Sequence, residues 1–238
     1  MDTPEHDAAE QCAQWVRSMA RGMHDLAQPI TSAMGNLEIA LLQKQTAEEL
    51  RQAIEFSRAE MERAIQIMEF VRQLIRLQTP AEDVASFSLS GLLAKLIEDM
   101  RFTFDTAGVK LMLSAGCNEP GMRASLGRLR QMLFCILQGA GAAARAGDTL
   151  TLTVSGTSGE VLLDVALLGR HSEAEAGDAS EPAALRQAPH AFVLAEAIAR
   201  NAEGTWTVSD VPFRLQVRLP ASSHALGEVG RLASIADG

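Results

Sequence analysis

Two long stretches near the N-terminus carry apolar or small residues at steps that alternate between four and three. In the first these are Cys12, Val16, Met19, Met23, Leu26, Ile30, Ala33, Leu37 and Ala40; in the second, Leu50, Ile54, Ser57, Met61, Ala64, Met68, Val71 and Ile75. This is the period of helices that pack along a seam. The pattern predicts a first helix from Glu5 or Ala8 to Gln45. Thr46, with Glu49 three residues on, forms a capping box that starts a second helix at once. Two such helices joined by a tight turn make an antiparallel hairpin. One hairpin cannot bury both seams, and Ile65, Leu74 and Leu77 widen the apolar face. A homodimer whose hairpins form a four-helix bundle is the economical arrangement. Packing of the hairpin on the rest of its own chain is the alternative.

Beyond the linker Thr79–Asp83 the pattern turns mixed. Leu89–Thr106 has helical spacing, with Ser88 or Ser90 as a cap, and Val109–Ser114 is a short strand. Ser125–Arg145 is a long apolar helix ending near Gly147. Thr149–Val154 alternates with period two, Gly156–Gly159 is a turn, and Val161–Leu168 is a buried strand. Leu185–Ala202 has helical spacing again. Thr205–Val208 and Phe213–Leu219 close the series. The fold class expected is α+β: residues 1–79 a helical hairpin, 80–221 an α/β sandwich, and 222–238 a polar, mobile tail.

Composition narrows the possibilities. Hydrophobic residues make up 47% of the 238 but aromatics only 4%, without Tyr, so the core is aliphatic. A formal charge of −9 argues against nucleic acid and against polybasic membrane docking. Cys12, Cys117 and Cys135 are odd in number and widely spaced, which suits reduced thiols rather than disulfides or zinc. No apolar run reaches the roughly 18 residues of a spanning helix, and the first residues do not read as a signal peptide. A cytoplasmic protein is expected. Met19, Met23, Met34, Met61 and Met68 read as core fillers.

The chemistry concentrates in Met23-His24-Asp25-Leu26-Ala27-Gln28-Pro29-Ile30. His24 lies one residue past a seam position, at the edge of the buried stripe. Asp25 is its neighbour. Pro29 cannot donate to the carbonyl of Asp25, so a kink is expected one turn after the histidine. An imidazole beside a carboxylate on such a helix suits reversible phosphorylation on nitrogen. His6, His171, His190 and His224 have no comparable setting.

His24, Asp25, Leu26, Gln28, Pro29 and Ile30 resemble, position by position, the H box of sensor histidine kinases. The resemblance extends from about Ala8 to Leu219 and implies a dimerisation hairpin followed by an ATPase-like α/β sandwich. Only about 23 residues precede His24, so the input signal is expected to arrive from another molecule. The family's nucleotide chemistry is missing. Arg130–Ala140 resembles its N box, but Cys135 and Gly139 stand where two Asn residues belong, and neither is a hard oxygen ligand. Leu167 replaces the adenine-binding Asp of the Asp-x-Gly-x-Gly motif, and His171 replaces its second glycine. Pro189-His190-Ala191 stands in for the glycine-rich loop, without its close backbone approach. Glu173, Glu175, Asp178 and Glu181, offset only by Arg170 and Arg186, would repel a triphosphate at the lid.

The resemblance therefore implies a histidine phosphotransferase of a bacterial phosphorelay with a degenerate ATPase domain. It is similar to two-domain phosphotransfer proteins that lack ATP binding. His24 is the expected phosphoacceptor and Asp25 the general base or orienting group. Response-regulator receiver domains and an upstream hybrid sensor kinase are the expected partners, and no cofactor is expected beyond a receiver's own magnesium. Gln28, Thr31, Ser32 and Gly35, with Arg17 and Arg21 on the preceding turns, form the expected docking face. The rival is a pseudokinase that scaffolds or inhibits kinases or receivers without chemistry at His24. An active kinase with a divergent nucleotide site is disfavoured by the motif losses.

Overall fold

A computed structural model describes residues 4–43, 45–81, 83–116, 119–156, 159–169, 189–210 and 213–221. The chain divides into two compact units between Thr79 and Pro80.

The first unit is a hairpin of α1 (Pro4–Leu42) and α2 (Ala47–Arg76). α1 runs through Pro29 without interruption and ends three residues before the expected Gln45. The capping box forms: Glu49 N–H donates to Thr46 Oγ1 (3.3 Å), and Thr46 N–H donates to Glu49 Oε2 (2.7 Å). Donation to the Glu49 carboxylate from Thr46 N–H first, and then from the Thr46 hydroxyl (2.8 Å to Oε2), holds this carboxyl below its usual range.

The seams divide where the sequence showed each as one. Along α1, Ala33 and Ala40 are buried and Met19 and Leu26 half-buried, whereas Val16, Met23, Ile30 and Leu37 are exposed. Along α2, Ser57, Ala64 and Val71 are buried together with Ala53, Ile67, Phe70 and Leu74, whereas Leu50, Ile54, Met61, Ile65, Met68 and Ile75 are exposed. Each helix thus gives one row to its hairpin partner and leaves a second apolar row open. Met23, Met34, Met61 and Met68 lie exposed on the chain rather than filling its core. Small residues fill part of the closed rows, Ala33 and Ala40 on α1 and Ala53, Ser57 and Ala64 on α2, and that lets the helices approach closely there.

The second unit is a two-layer α/β sandwich. Its elements are β1 (Val84–Phe87), α3 (Leu89–Thr106), β2 (Lys110–Ala115), β3 (Met122–Ser125), α4 (Leu126–Ala143), β4 (Thr149–Gly156), β5 (Glu160–Leu168), α5 (Pro189–Asn201), β6 (Thr205–Asp210) and β7 (Phe213–Pro220). The main sheet has the order β2-β4-β5-β7-β6, with β2 parallel to β4 and the other pairs antiparallel. Leu150, Leu152, Val154, Val161, Leu163, Val165, Leu215 and Val217 are buried on its inner face against the helices. The outer face is polar, and there Arg214 donates to both carboxylate oxygens of Asp164.

β1 and β3, absent from the sequence reading, pair antiparallel in a separate two-stranded ribbon. Their connection to α4 runs through the expected linker. Asp83 Oδ1 accepts from Ser125 Oγ (2.5 Å), and Oδ2 accepts from Gly127 N–H (2.7 Å). These donors, Ser125 first, keep its carboxyl below the ordinary range. Ser125 is the N-cap of α4, its Oγ accepting from Arg128 N–H, rather than a residue of the helix. The lid residues Arg170, His171, Glu173, Glu175, Asp178, Glu181 and Arg186, and the tail with His224, lie outside the described residues.

Candidate functional site

Arg17, Arg21, His24, Gln28, Thr31 and Gly35 follow one another along α1 at steps of four, three, four, three and four. Such steps put side chains in one row on a helix. All are exposed except the half-buried Gly35. Asp25 and Ser32, each one residue off the row, are half-buried beside it. The expected phosphoacceptor, its acidic neighbour and the docking residues are therefore brought together by a single helix. Nothing lies within 4 Å of where a Cβ at Gly35 would stand, so the row is open at that point.

The opposite side of α1 faces α2. Gly22, Pro29, Ala33 and Ala40 are buried there. Asn36 Nδ2 donates to the Ala53 carbonyl (2.8 Å) and to Ser57 Oγ (3.0 Å), and Ser57 Oγ donates to the Ala33 carbonyl (3.4 Å). Sequence reasoning missed this bridge and Gly22. The signal was a buried row one position away from the chosen seam, made of residues too small or too polar to register as apolar.

In the second unit Cys135 and Gly139, two of the positions compared above with nucleotide motifs, lie in a packed interior. Cys135 on α4 is 6% exposed. Burial pushes its thiol up to about 11, so it remains protonated and chemically quiet. A Cβ at Gly139 would stand 2.6 to 3.0 Å from three ring atoms of Phe192. Phe192, on the first turn of α5, is 1% exposed. Its ring meets Trp206 edge-on at 6.4 Å between centroids and Phe213 at 6.1 Å. Leu167 is half-buried near the end of β5, and the Gly169 backbone lies against the Asp148 carboxylate. His190 and Ala191 are half-buried at the start of α5. An aromatic ring stands beside Gly139, and Cys135 presents a buried thiol, neither of them an oxygen ligand for magnesium. Among the described residues, no cluster of three His, Cys, Asp or Glu side chains is placed to hold a metal ion.

No protein-family model matches the chain, and no curated sequence does. Solved structures match it along most of its length. The Acinetobacter baumannii histidine kinase AdeS superposes with a TM-score of 0.62 at 18% identity, over 84% of this chain and 98% of that one. Histidine kinase ThkA, in complex with the response regulator protein TrrA, gives 0.65 at 12% identity, over 90% and 64%. Full-length ShkA in complex with AMPPNP gives 0.53 at 20% identity, over 94% and 47%. The chain has a histidine-kinase-like fold, a helical hairpin followed by an α/β domain of the catalytic type. Among the described residues no helix is long and apolar enough to cross a membrane.

Proposed function

We propose that this chain is a histidine phosphotransferase of a two-component phosphorelay, exchanging a phosphoryl group between His24 and the aspartate of a receiver domain. The observation that carries this reading is the exposed row on α1. It holds His24 between two arginines and a stretch of small, uncharged residues, on the hairpin of a histidine-kinase-like fold. The lone pair of an unprotonated ring nitrogen of His24 attacks the phosphorus of the receiver's aspartyl phosphate. The N–P bond forms, the acyl O–P bond breaks, and the carboxylate is returned to the receiver. Asp25 accepts the proton from the ring or orients it. Charge neutralisation during transfer would be supplied by magnesium on the receiver. Arg17 and Arg21 offer charge-assisted donors to acidic receiver residues or to the phosphoryl oxygens. The same steps run backwards from phosphohistidine.

The seating of Phe192 against Gly139 supports a phosphotransferase that draws on receivers, and on an upstream hybrid kinase, instead of on its own ATP. The ThkA structure, a histidine kinase in complex with a response regulator, supports receivers as the partner class. The test is transfer of radiolabelled phosphoryl from a panel of phosphorylated receivers to the purified chain. The expected product is a label that is labile in acid and stable in alkali. Receivers that bind but never label it would favour the scaffold reading.

The open apolar rows support a homodimer through the hairpin. Ile30 and Met61 lie on them. Replacing both with Asp buries charges at a cost on the order of several kcal/mol per ion. The expected sedimentation is a dimer for the wild type and a monomer for the double variant at micromolar concentration. A monomeric wild type overturns the dimer.

A further inference from the structure

Gly22 is buried in the turn of α1 whose neighbours Arg21, Met23 and His24 are exposed. A Cβ at this position would stand 2.7 Å from Val71 Cγ2 and 3.3 Å from Phe70 Cε1. Both partners are buried, and a β-branched valine on a helix is stiff about χ1. α1 therefore rests directly on α2 through a missing side chain. Glycine inside a helix costs about 1 kcal/mol relative to alanine, so its presence here fits a close approach rather than helix propensity. His24, two residues on, points about 200° away round the helix. The turn that seats α1 on α2 is thus the turn that presents the histidine to solvent.

We infer that Gly22 is a positioning residue for His24, setting the histidine's place relative to the docking residues beyond Pro29. This rests on the phosphotransfer reading. Pro29 has no N–H to bond back to the turn before it, so α1 bends most easily there. The segment carrying His24 lies on one side of that point, and Thr31, Ser32 and Gly35 lie on the other. A methyl group at position 22 must retreat from Val71 by ~0.8 Å to reach ordinary carbon contact. Pivoting at Pro29, ~10 Å along the helix, that retreat moves His24 by roughly half an ångström. In-line attack needs reacting atoms about 3–3.5 Å apart, and a misplacement of about 1 Å costs on the order of a hundredfold in rate. Half of that displacement corresponds to about tenfold.

The test uses the full chain with a phosphorylated receiver that labels the wild type. Gly22→Ala is expected to lower the transfer rate constant at saturating receiver about tenfold, while the receiver concentration giving half-maximal rate is unchanged. Adding Val71→Ala, which removes the Cγ2 methyl that the new Cβ strikes, is expected to restore the rate. Val71→Ile, which adds a methylene from the α2 side, is expected to reproduce the Gly22→Ala kinetics with α1 unaltered; it serves if Gly22→Ala fails to fold by circular dichroism. An unchanged rate constant in both single variants overturns the inference. So does a slow Gly22→Ala that Val71→Ala does not rescue. A wild type that no receiver labels brings down the phosphotransfer reading itself, and this shows before any variant is compared.

Discussion

His24→Gln is expected to reduce labelling by every phosphorylated receiver to background and to leave the fold unchanged. Glutamine keeps a polar side chain of similar reach, but its amide nitrogen lone pair is delocalised and does not attack phosphorus. The nucleophile is lost, and the exposed row on α1 has no second one: its other members are Arg17, Arg21, Gln28, Gly35 and the weakly nucleophilic hydroxyl of Thr31. His24 is exposed, so the substitution falls among surface changes worth within about 0.5 kcal/mol of stability. Circular dichroism melts and sedimentation should match the wild type. Asp25→Asn is the informative companion, because it removes the general-base or orienting role of the carboxylate. A lost general base costs on the order of 10²–10⁴ in rate, with receiver affinity kept. Full labelling of His24→Gln would place the phosphoacceptor elsewhere and end the present reading of α1.

The second large effect lies in the sandwich. Phe192→Ala is expected to destabilise the protein by about 3–5 kcal/mol, the range for truncating a fully buried phenylalanine. That is a large share of the roughly 5–15 kcal/mol that holds a typical domain together. The ring fills the hollow left by Gly139 and packs on Trp206 and Phe213, contacts that alanine loses. Chemical denaturation reads the loss as a lower midpoint. A change below about 1 kcal/mol would show that the ring is peripheral to this core. In parallel, titrating magnesium ATP into the wild type is expected to give no binding heat. Micromolar affinity would revive the kinase reading.

The hairpin was legible because a helical period sustained over about ten turns outweighs local ambiguity, and because Thr46 and Glu49 mark the restart unmistakably. What the period could not reveal was direction. Val16, Met23, Ile30 and Leu37 alternate with Met19, Leu26, Ala33 and Ala40 in one apolar series, yet only the second set turns toward α2. In α2 the buried row is carried partly by Ala53, Ser57 and Ala64, whose small size makes them good contacts and poor signals. In the main sheet β4 and β7 were legible from alternation and β5 as a buried apolar run. β1 and β3 were not: Val84–Phe87 and Met122–Ser125 are four residues each and are held by pairing across a long stretch of chain. The contact between Phe192 and Gly139 was not legible, since nothing local says that this ring will lie over that glycine.

The bridge between Asn36, Ser57 and the Ala33 and Ala53 carbonyls bears on how force travels along the hairpin. Sliding one helix past the other by a single residue is a shift of about 1.5 Å. That would break both Asn36 bonds, which are part-buried between the helices, at a net cost of about 0.5–1.5 kcal/mol each. A rigid tilt or rotation of the pair leaves the same bonds intact. The hairpin therefore behaves as a strut, stiff against axial shear and compliant as a body. A push delivered at one end of α1 moves α2 with it.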